Sequence, residues 1–453
     1  MSLGRLGVVG GGLAGIATAL AAADAGADVV LFERRGVLGG LTSSIERNGL
    51  SFDNGQHVFL RCCTSYLALL ERIGARGMVH LQDRLDVVVL SPSGTRSTLR
   101  RQSLPAPLHL SWSLATYRHL SVRDRLGLVR AALALRALDA DDPALDQCTF
   151  EAWLQSKGQS PAAITKLWDL IALPTINLHA AEASLALAAV VFQEGLLDRA
   201  DSGDVGWSLV PLASLHGSQA AKALTDAGVT VRSNAPVLAV EPSSRATCCL
   251  VRVTDEDVSV DAVVVATPPA TAAALGVVDA AAPAQHLGSS PIVNVHLVFD
   301  RKVTDLEMFA VVDSPVQFVF DRTTSSGVRD GQCLALSLSA ATEYMADGSE
   351  HLVGLFASAL RDLLPDARRA QLVDAAVTRE RAATFRGAPG ARAWRPGTVT
   401  SAPGVFLAGA WCDTGWPATM EGAVRSGNAA ARHALAWLAG SAPQVKSPLA
   451  ATP

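Results

Sequence analysis

An α/β fold in two lobes is predicted for this 453-residue chain from three observations. A short apolar run near the start opens into a glycine-rich turn and an alanine-rich helix, and a second β-branched run then ends in an acid. Further on, helix-patterned stretches such as SVRDRLGLVRAALALRAL and strand-like runs at 292–299 and 317–320 follow. At 49% hydrophobic and 18% charged residues, the chain exceeds what one ordinary core holds, which fits two lobes.

Residues 6–9, LGVV, form the first strand and enter GGGLAGIATALAAADAG, where Gly10, Gly12 and Gly15 satisfy GxGxxG. Alanines and leucines favour a helix from Leu13 and Ala14 onward, and Gly26 supplies its C-terminal cap. DVVLFERR is the second strand and ends at Glu33, 23 residues beyond Gly10. The physics is that of a Rossmann-like dinucleotide site. Gly10 permits the tight turn, Gly12 lets backbone approach a pyrophosphate, Gly15 lets helix pack on strand, and Glu33 accepts hydrogen bonds from ribose hydroxyls. A carboxylate at that position repels a 2′-phosphate, which disfavours NADP.

A net charge of -4 and the lack of a basic run longer than Arg34-Arg35 argue against nucleic acid as a partner. Seven cysteines, odd in number and without CxxC spacing, suggest reduced thiols rather than disulfides or a metal site. The opening segment MSLGRLGVVGGG has no h-region and predicts a cytoplasmic protein. No stretch reaches the ~20 apolar residues of a membrane span, so at most peripheral contact is expected.

The continuation ERRGVLGGLTSSIERNGLSFDNGQHVF resembles the second glycine motif of the FAD-dependent amine oxidase and phytoene desaturase superfamily. That resemblance implies FAD, held in a glutathione-reductase-type domain, with Arg34, Gly36, Gly39, Gly40 and Leu41 along its pyrophosphate and ribityl region and Gly55, Gln56 and His57 near the flavin. GVFLAGAWCDTGWPATMEGAVRSGNAAARHAL resembles the superfamily's closing motif. It assigns Gly409, Ala410, Pro417, Ala418, Thr419 and Met420 to the cofactor, and Val237 joins them from the strand at 229–241. Ala410 departs from the family, which has an Asp there; Asp413 is the nearest substitute. The implied FAD domain covers residues 1–90, 205–285 and 395–440. An α+β substrate lobe covers 91–204 and 286–394, helical in its first part and stranded in its second, and the Pro/Ala/Ser-rich tail 441–453 is expected to be disordered.

Within the superfamily, DNGQHV, LWDLIALPTINLHAAEASLALAAVVF and GWPATMEGAVRSG most resemble the hydroxysqualene dehydroxylases of squalene and hopanoid biosynthesis. The implied reaction replaces the allylic hydroxyl of a C30 isoprenoid with hydride. Its implied partners are the lipophilic substrate, an external reductant such as NAD(P)H, and a functional link to squalene-synthase-like enzymes. A general acid is needed, and His57 and Asp53 are the first candidates, with Glu182, Asp413 and Glu421 behind them. The competing reading makes Asp53 and His57 satisfied structural residues and leaves Glu421 to complete a turn. Trp153, Trp168, Phe192 and the leucines of 183–197 are candidates for a substrate tunnel and equally for plain core. The aromatic and basic stretch 104–122 has the composition of a membrane interface or of a domain-covering helix.

Three alternatives stay open. A carotenoid or phytoene-type desaturase runs the same cofactor in the opposite direction. An amine oxidase wants an aromatic cage, for which three tyrosines in the chain are few. A flavin-free lipid-binding protein of the GDP-dissociation-inhibitor type shares the fold, but Glu33 and the pair Gly39-Gly40 argue for a cofactor.

Overall fold

The computed structural model describes residues 3–242, 249–254 and 256–440; the tail expected to be disordered lies outside the described residues. Its first lobe is built on a five-stranded parallel sheet ordered Thr230–Arg232, Asp28–Phe32, Arg5–Val9, Ala262–Val265, Val405–Leu407. The central strands are buried on both faces, as parallel sheets covered by helices require: Leu6, Val8, Val30, Leu31 and Val263 to Val265 are all fully buried. The first helix, Leu13–Asp24, and the last, Met420–Leu438, pack side by side on this sheet. They approach so closely that a Cβ on Gly427 would stand 2.3 Å from the Ala14 carbonyl oxygen. Thr18 Oγ1 stitches the contact by donating to the carbonyls of Ala14 and Gly427 at 2.8 and 3.0 Å. An antiparallel meander of Val237–Pro242, Cys249–Val253 and Asp257–Val260 completes the lobe.

The second lobe carries a seven-stranded sheet ordered Leu372–Phe385, Ser289–Phe299, Gln332–Leu338, Phe318–Asp321, Met308–Val311, Asp86–Leu90, Arg96–Arg100. Asp86–Leu90 falls inside the stretch expected to belong to the cofactor domain. It joins the other sheet because Val88 pairs with Phe309 and Val89 with Ala310, which buries Val87 and Val89 on the second lobe's core. The helical insertion forms as expected from its pattern. Helix Val122–Arg136 is capped by Ser121, and the helical run beginning at Pro161 continues past Pro174 to Ile176, where Asn177 stops it in a left-handed conformation (φ 60°). Trp168 and Phe192 pack edge to face at 5.1 Å and meet Phe150, so these aromatics form hydrophobic core.

In the stretch 104–122, Tyr117 is fully buried and donates its hydroxyl to the Lys166 carbonyl, and His119 bonds the Val89 carbonyl. The Tyr117 ring is therefore core, whereas Trp112 stands exposed. Cys62, Cys63, Cys148, Cys333 and Cys412 are free thiols, and no described helix is long and apolar enough to cross a membrane.

Candidate cofactor and active site

The glycine turn is shaped by contacts that exclude side chains. A Cβ on Gly10, at φ 107°, would meet the Ala266 carbonyl oxygen at 2.6 Å, and one on Gly15 would meet the Gly10 oxygen at 1.9 Å. Gly12 differs: nothing but the Gly40 Cα, at 3.9 Å, lies near its missing Cβ. Gly40, at φ 60°, faces it across a short bridge in which Gly39 N–H donates to the Gly11 carbonyl at 2.8 Å. Gly12 is also the N-terminal cap of the first helix, where no side chain takes the free N–H groups of Leu13 and Ala14. These donors and the glycine cradle fit a pyrophosphate. Glu33 is buried, its two oxygens accepting from Gly11 N–H at 2.7 Å and Arg35 N–H at 2.8 Å. Its carboxylate thus braces the turn while retaining acceptor capacity for a ribose. Arg34 points out to solvent, and Ala235 N–H donates to the Glu33 carbonyl, bringing the segment that leads to Val237 beside it.

At the other end of the sheet Gly409 adopts φ 151°, and a Cβ there would collide with the Trp411 indole at 2.4 Å. Its N–H is held by Ser426 Oγ, and buried Arg395 donates to the carbonyls of Cys412 and Trp416, fixing the loop that carries Ala410. Asp413 stands 3.9 Å from Arg395 at the edge of this loop. The last helix begins at Met420, with Thr419 Oγ1 accepting from Gly422 N–H; Pro417 and Ala418 precede the cap.

Between these ends lies the DNGQHVF loop. Gly55, at φ 110°, gives His57 room to fold back, its ring lying 3.1 Å from where a Cβ would sit, and His57 Nε2 contacts the Asn54 carbonyl at 3.3 Å. Part of the ring stays open to the cleft, while protein encloses the rest, and that burial depresses the His57 pKa below its ordinary 6.5. Beside it, His216 is fully buried, bonds the Tyr66 hydroxyl at 2.8 Å, and is pushed down to about 3 by burial and by His57. The Asp53 carboxylate is already engaged by protein groups. It accepts from Arg322 at 2.6 Å, Ser44 Oγ at 2.7 Å and Leu212 N–H at 2.9 Å, and the Asp53 carbonyl contacts His296. Asp53, Gln56, His57, Val58, Trp207 and Phe320 line a narrow cavity of about 10 Å³, room for a single water molecule.

The remaining acids sit elsewhere. Glu421 is fully buried and accepts from Ser65 N–H, Tyr66 N–H and Arg425, which ties the helix Thr64–Arg72 to the last helix. Glu182 forms a surface ion pair with Arg386, and Leu41 is 41% exposed beside the glycine pair.

Buried polar atoms without a protein partner mark the cleft. Gln56 Nε2, His216 Nδ1, Thr267 Oγ1 and Asn294 Oδ1 are such atoms; Gln56 follows Gly55 in the chain, and the side chains of Asn294, His216 and Thr267 approach Gly55, Gly39 and Gly10. Together with the uncapped helix they fit a polar, extended cofactor. His216, Thr267 and Asn294 were not legible as site residues in the sequence, because no local motif surrounds them.

Comparison with known proteins agrees with this geometry. Residues 13–435 match the model of the flavin containing amine oxidoreductase family. A hydroxysqualene dehydroxylase of Rhodopseudomonas palustris is 29% identical over 95% of this chain and 98% of its own length. A zeta-carotene desaturase of Synechocystis sp. is 24% identical over 95% of this chain and 97% of its own. The fold is that of cyclohexylamine oxidase from Brevibacterium oxydans, with a TM-score of 0.71 at 18% identity over 95% of this chain and 98% of that one. A glycine cradle, a bracing acid and a family match across nearly the whole length lead to one conclusion: the chain belongs to the flavin-containing amine oxidoreductases and is an FAD-dependent oxidoreductase.

Proposed function

We propose that the chain reductively dehydroxylates a C30 isoprenoid alcohol, hydroxysqualene, to squalene, with His57 serving the departing oxygen. The observation that carries the reading is the DNGQHVF loop, which holds a half-buried imidazole against Gly55 and on the wall of the cavity, in a chain similar over 95% of its length to a protein named hydroxysqualene dehydroxylase. Bound FAD, reduced by an external donor such as NAD(P)H, supplies the hydride. In the balanced step the C–O bond breaks, the oxygen gains one proton and leaves as water, and hydride completes the new C–H bond. Asp53 and Arg322 anchor the loop, and the Tyr66–His216 pair fills the wall behind it. Because burial holds His57 neutral near pH 7, its N–H orients the hydroxyl, and its protonated fraction, the proton source, grows as pH falls from 8 toward 6.

A second reading, a carotenoid-type desaturase, is favoured by the similarity to zeta-carotene desaturase and uses the same cleft with hydride moving from substrate to oxidised cofactor. Anaerobic rapid mixing separates the two. Pre-reduced protein is expected to convert hydroxysqualene to squalene in a single turnover, faster at pH 6 than at pH 8, and His57→Gln to slow that step ~10²-fold with FAD retained. Oxidised protein that instead desaturates phytoene or zeta-carotene, with no squalene formed by the reduced form, overturns the proposal.

A further inference from the structure

Seven of the fifteen large hydrophobic side chains that stand exposed among the described residues fall between positions 104 and 133. Helix Val122–Arg136 carries four of them. Its inner face, Leu128, Ala131 and Leu135, is buried in the core of the second lobe, yet Val122, Leu126, Val129 and Leu133 are 51–73% exposed on the opposite side. At the ~100° per residue of an α-helix these four fall within an arc of roughly 60°. Arg125 and Arg136 flank that stripe on one side, Arg123 and Arg130 on the other. Trp112, 66% exposed, adds to the same face from the short helix Ser111–Ala115, which Arg125 holds in place by donating to the Ala115 carbonyl.

Charge says what this face fits. Residues 104–138 contain five arginines and one acid, in a chain whose net charge is -4. That acid, Asp124, is engaged by Ser121 at the helix cap. Asp139, Asp141 and Asp142 follow the helix and mark the end of the patch, Asp141 paired with Arg392. A second copy seated on the same face would set arginines against arginines, whereas an anionic lipid surface offers phosphates to the flanks and an apolar layer to the stripe. We propose that this face docks the protein on an anionic bilayer, with Leu126, Val129, Leu133 and Trp112 entering the boundary between headgroups and acyl chains. The inference rests on the surface alone and does not need the substrate reading.

The test is cosedimentation of the FAD-loaded full chain with vesicles of phosphatidylcholine alone or mixed with phosphatidylglycerol, at low salt. Binding is expected to the mixed vesicles and to weaken as salt is raised. Leu126→Glu/Val129→Glu should abolish it, and Arg123→Gln/Arg130→Gln should weaken it about 25-fold, both with FAD content unchanged and melting temperature nearly so, because the side chains are exposed and the one hydrogen bond lost, from Arg130 to the Lys157 carbonyl, lies at the surface. The arginine variant alone decides the matter if the glutamate variant fails to fold. Wild-type protein that ignores anionic vesicles, or variants that bind as wild type does, would overturn the proposal. So would a dimer in sedimentation equilibrium that Leu126→Glu/Val129→Glu dissociates, since the face is then a protein interface. None of these outcomes bears on squalene formation.

Discussion

At the scale of single residues, Glu33 shows how one carboxylate serves two ends. Its oxygens hold the N–H groups of Gly11 and Arg35, so the acid expected to meet a ribose also fixes the glycine turn. Glu33→Gln leaves one acceptor where two are needed. Losing a charged hydrogen bond of roughly 1.5–3 kcal/mol should weaken FAD binding by ten- to a hundredfold, measured by flavin fluorescence during reconstitution of the apoprotein. An unchanged dissociation constant would remove Glu33 from the cofactor's reach. Asp53 is the contrasting case. Its buried ion pair with Arg322 makes Asp53→Asn a stability mutation, because the guanidinium is left buried without its counterion at a cost of about 3–5 kcal/mol. Adding Arg322→Met should recover much of that loss in urea titrations. If Asp53→Asn slows turnover while stability stays at the wild-type value, Asp53 acts on the substrate instead.

Among the elements, the first and last helices make the closest contact. Gly427 admits the Ala14 backbone, and Gly427→Ala would place a methyl group 2.3 Å from a carbonyl oxygen in the first turn of the helix that follows the glycine turn. The ~1 kcal/mol of helix propensity gained by alanine does not offset the overpacking cost of about 1–3 kcal/mol plus the displaced helix. Net destabilisation and weakened FAD retention are expected, read by denaturant unfolding and by flavin absorbance of the purified variant. A Gly427→Ala protein that is more stable than wild type would mean the helices separate freely.

Over the whole molecule, the pH dependence of stability follows from histidines buried where the lobes meet. His216 and His296 are fully buried, with values near 3 and near 4, and burial lowers His57 as well. Unfolded histidine takes up its proton near pH 6.5, so below that pH the unfolded chain binds more protons than the folded one and stability declines. The contribution is complete above pH 6.5 and is lost progressively as pH falls toward 4 for His296 and toward 3 for His216. Each depressed histidine costs ~1.4 kcal/mol per pH unit in that window, so these two together remove roughly 4 kcal/mol between pH 7 and pH 5. Chemical unfolding of the holoprotein at the two pH values checks this. Equal stabilities would show that these imidazoles are protonated or exposed.

The cofactor domain was legible in the sequence because its signals are local: strand, GxGxxG turn, helix and acid follow one another within the 28 residues from Leu6 to Glu33, and each constrains its neighbours through backbone geometry. The helical character of the first insertion and the stranded character of the second were legible for the same reason, through periodicity. The strand Asp86–Leu90 was not, since nothing in its own pattern says which sheet it pairs with; Met308–Val311, more than 200 residues away, decides that. Likewise, DNGQHVF announced a polar site without saying which of its groups was spoken for. Arg322 claims Asp53 from 269 residues away, and His216 and Asn294 reach the cleft from separate segments. Local chain geometry determined the cofactor's seat, while the partners that satisfy or free each buried polar group came only with tertiary packing, because desolvation and ion pairing act through space rather than along the chain.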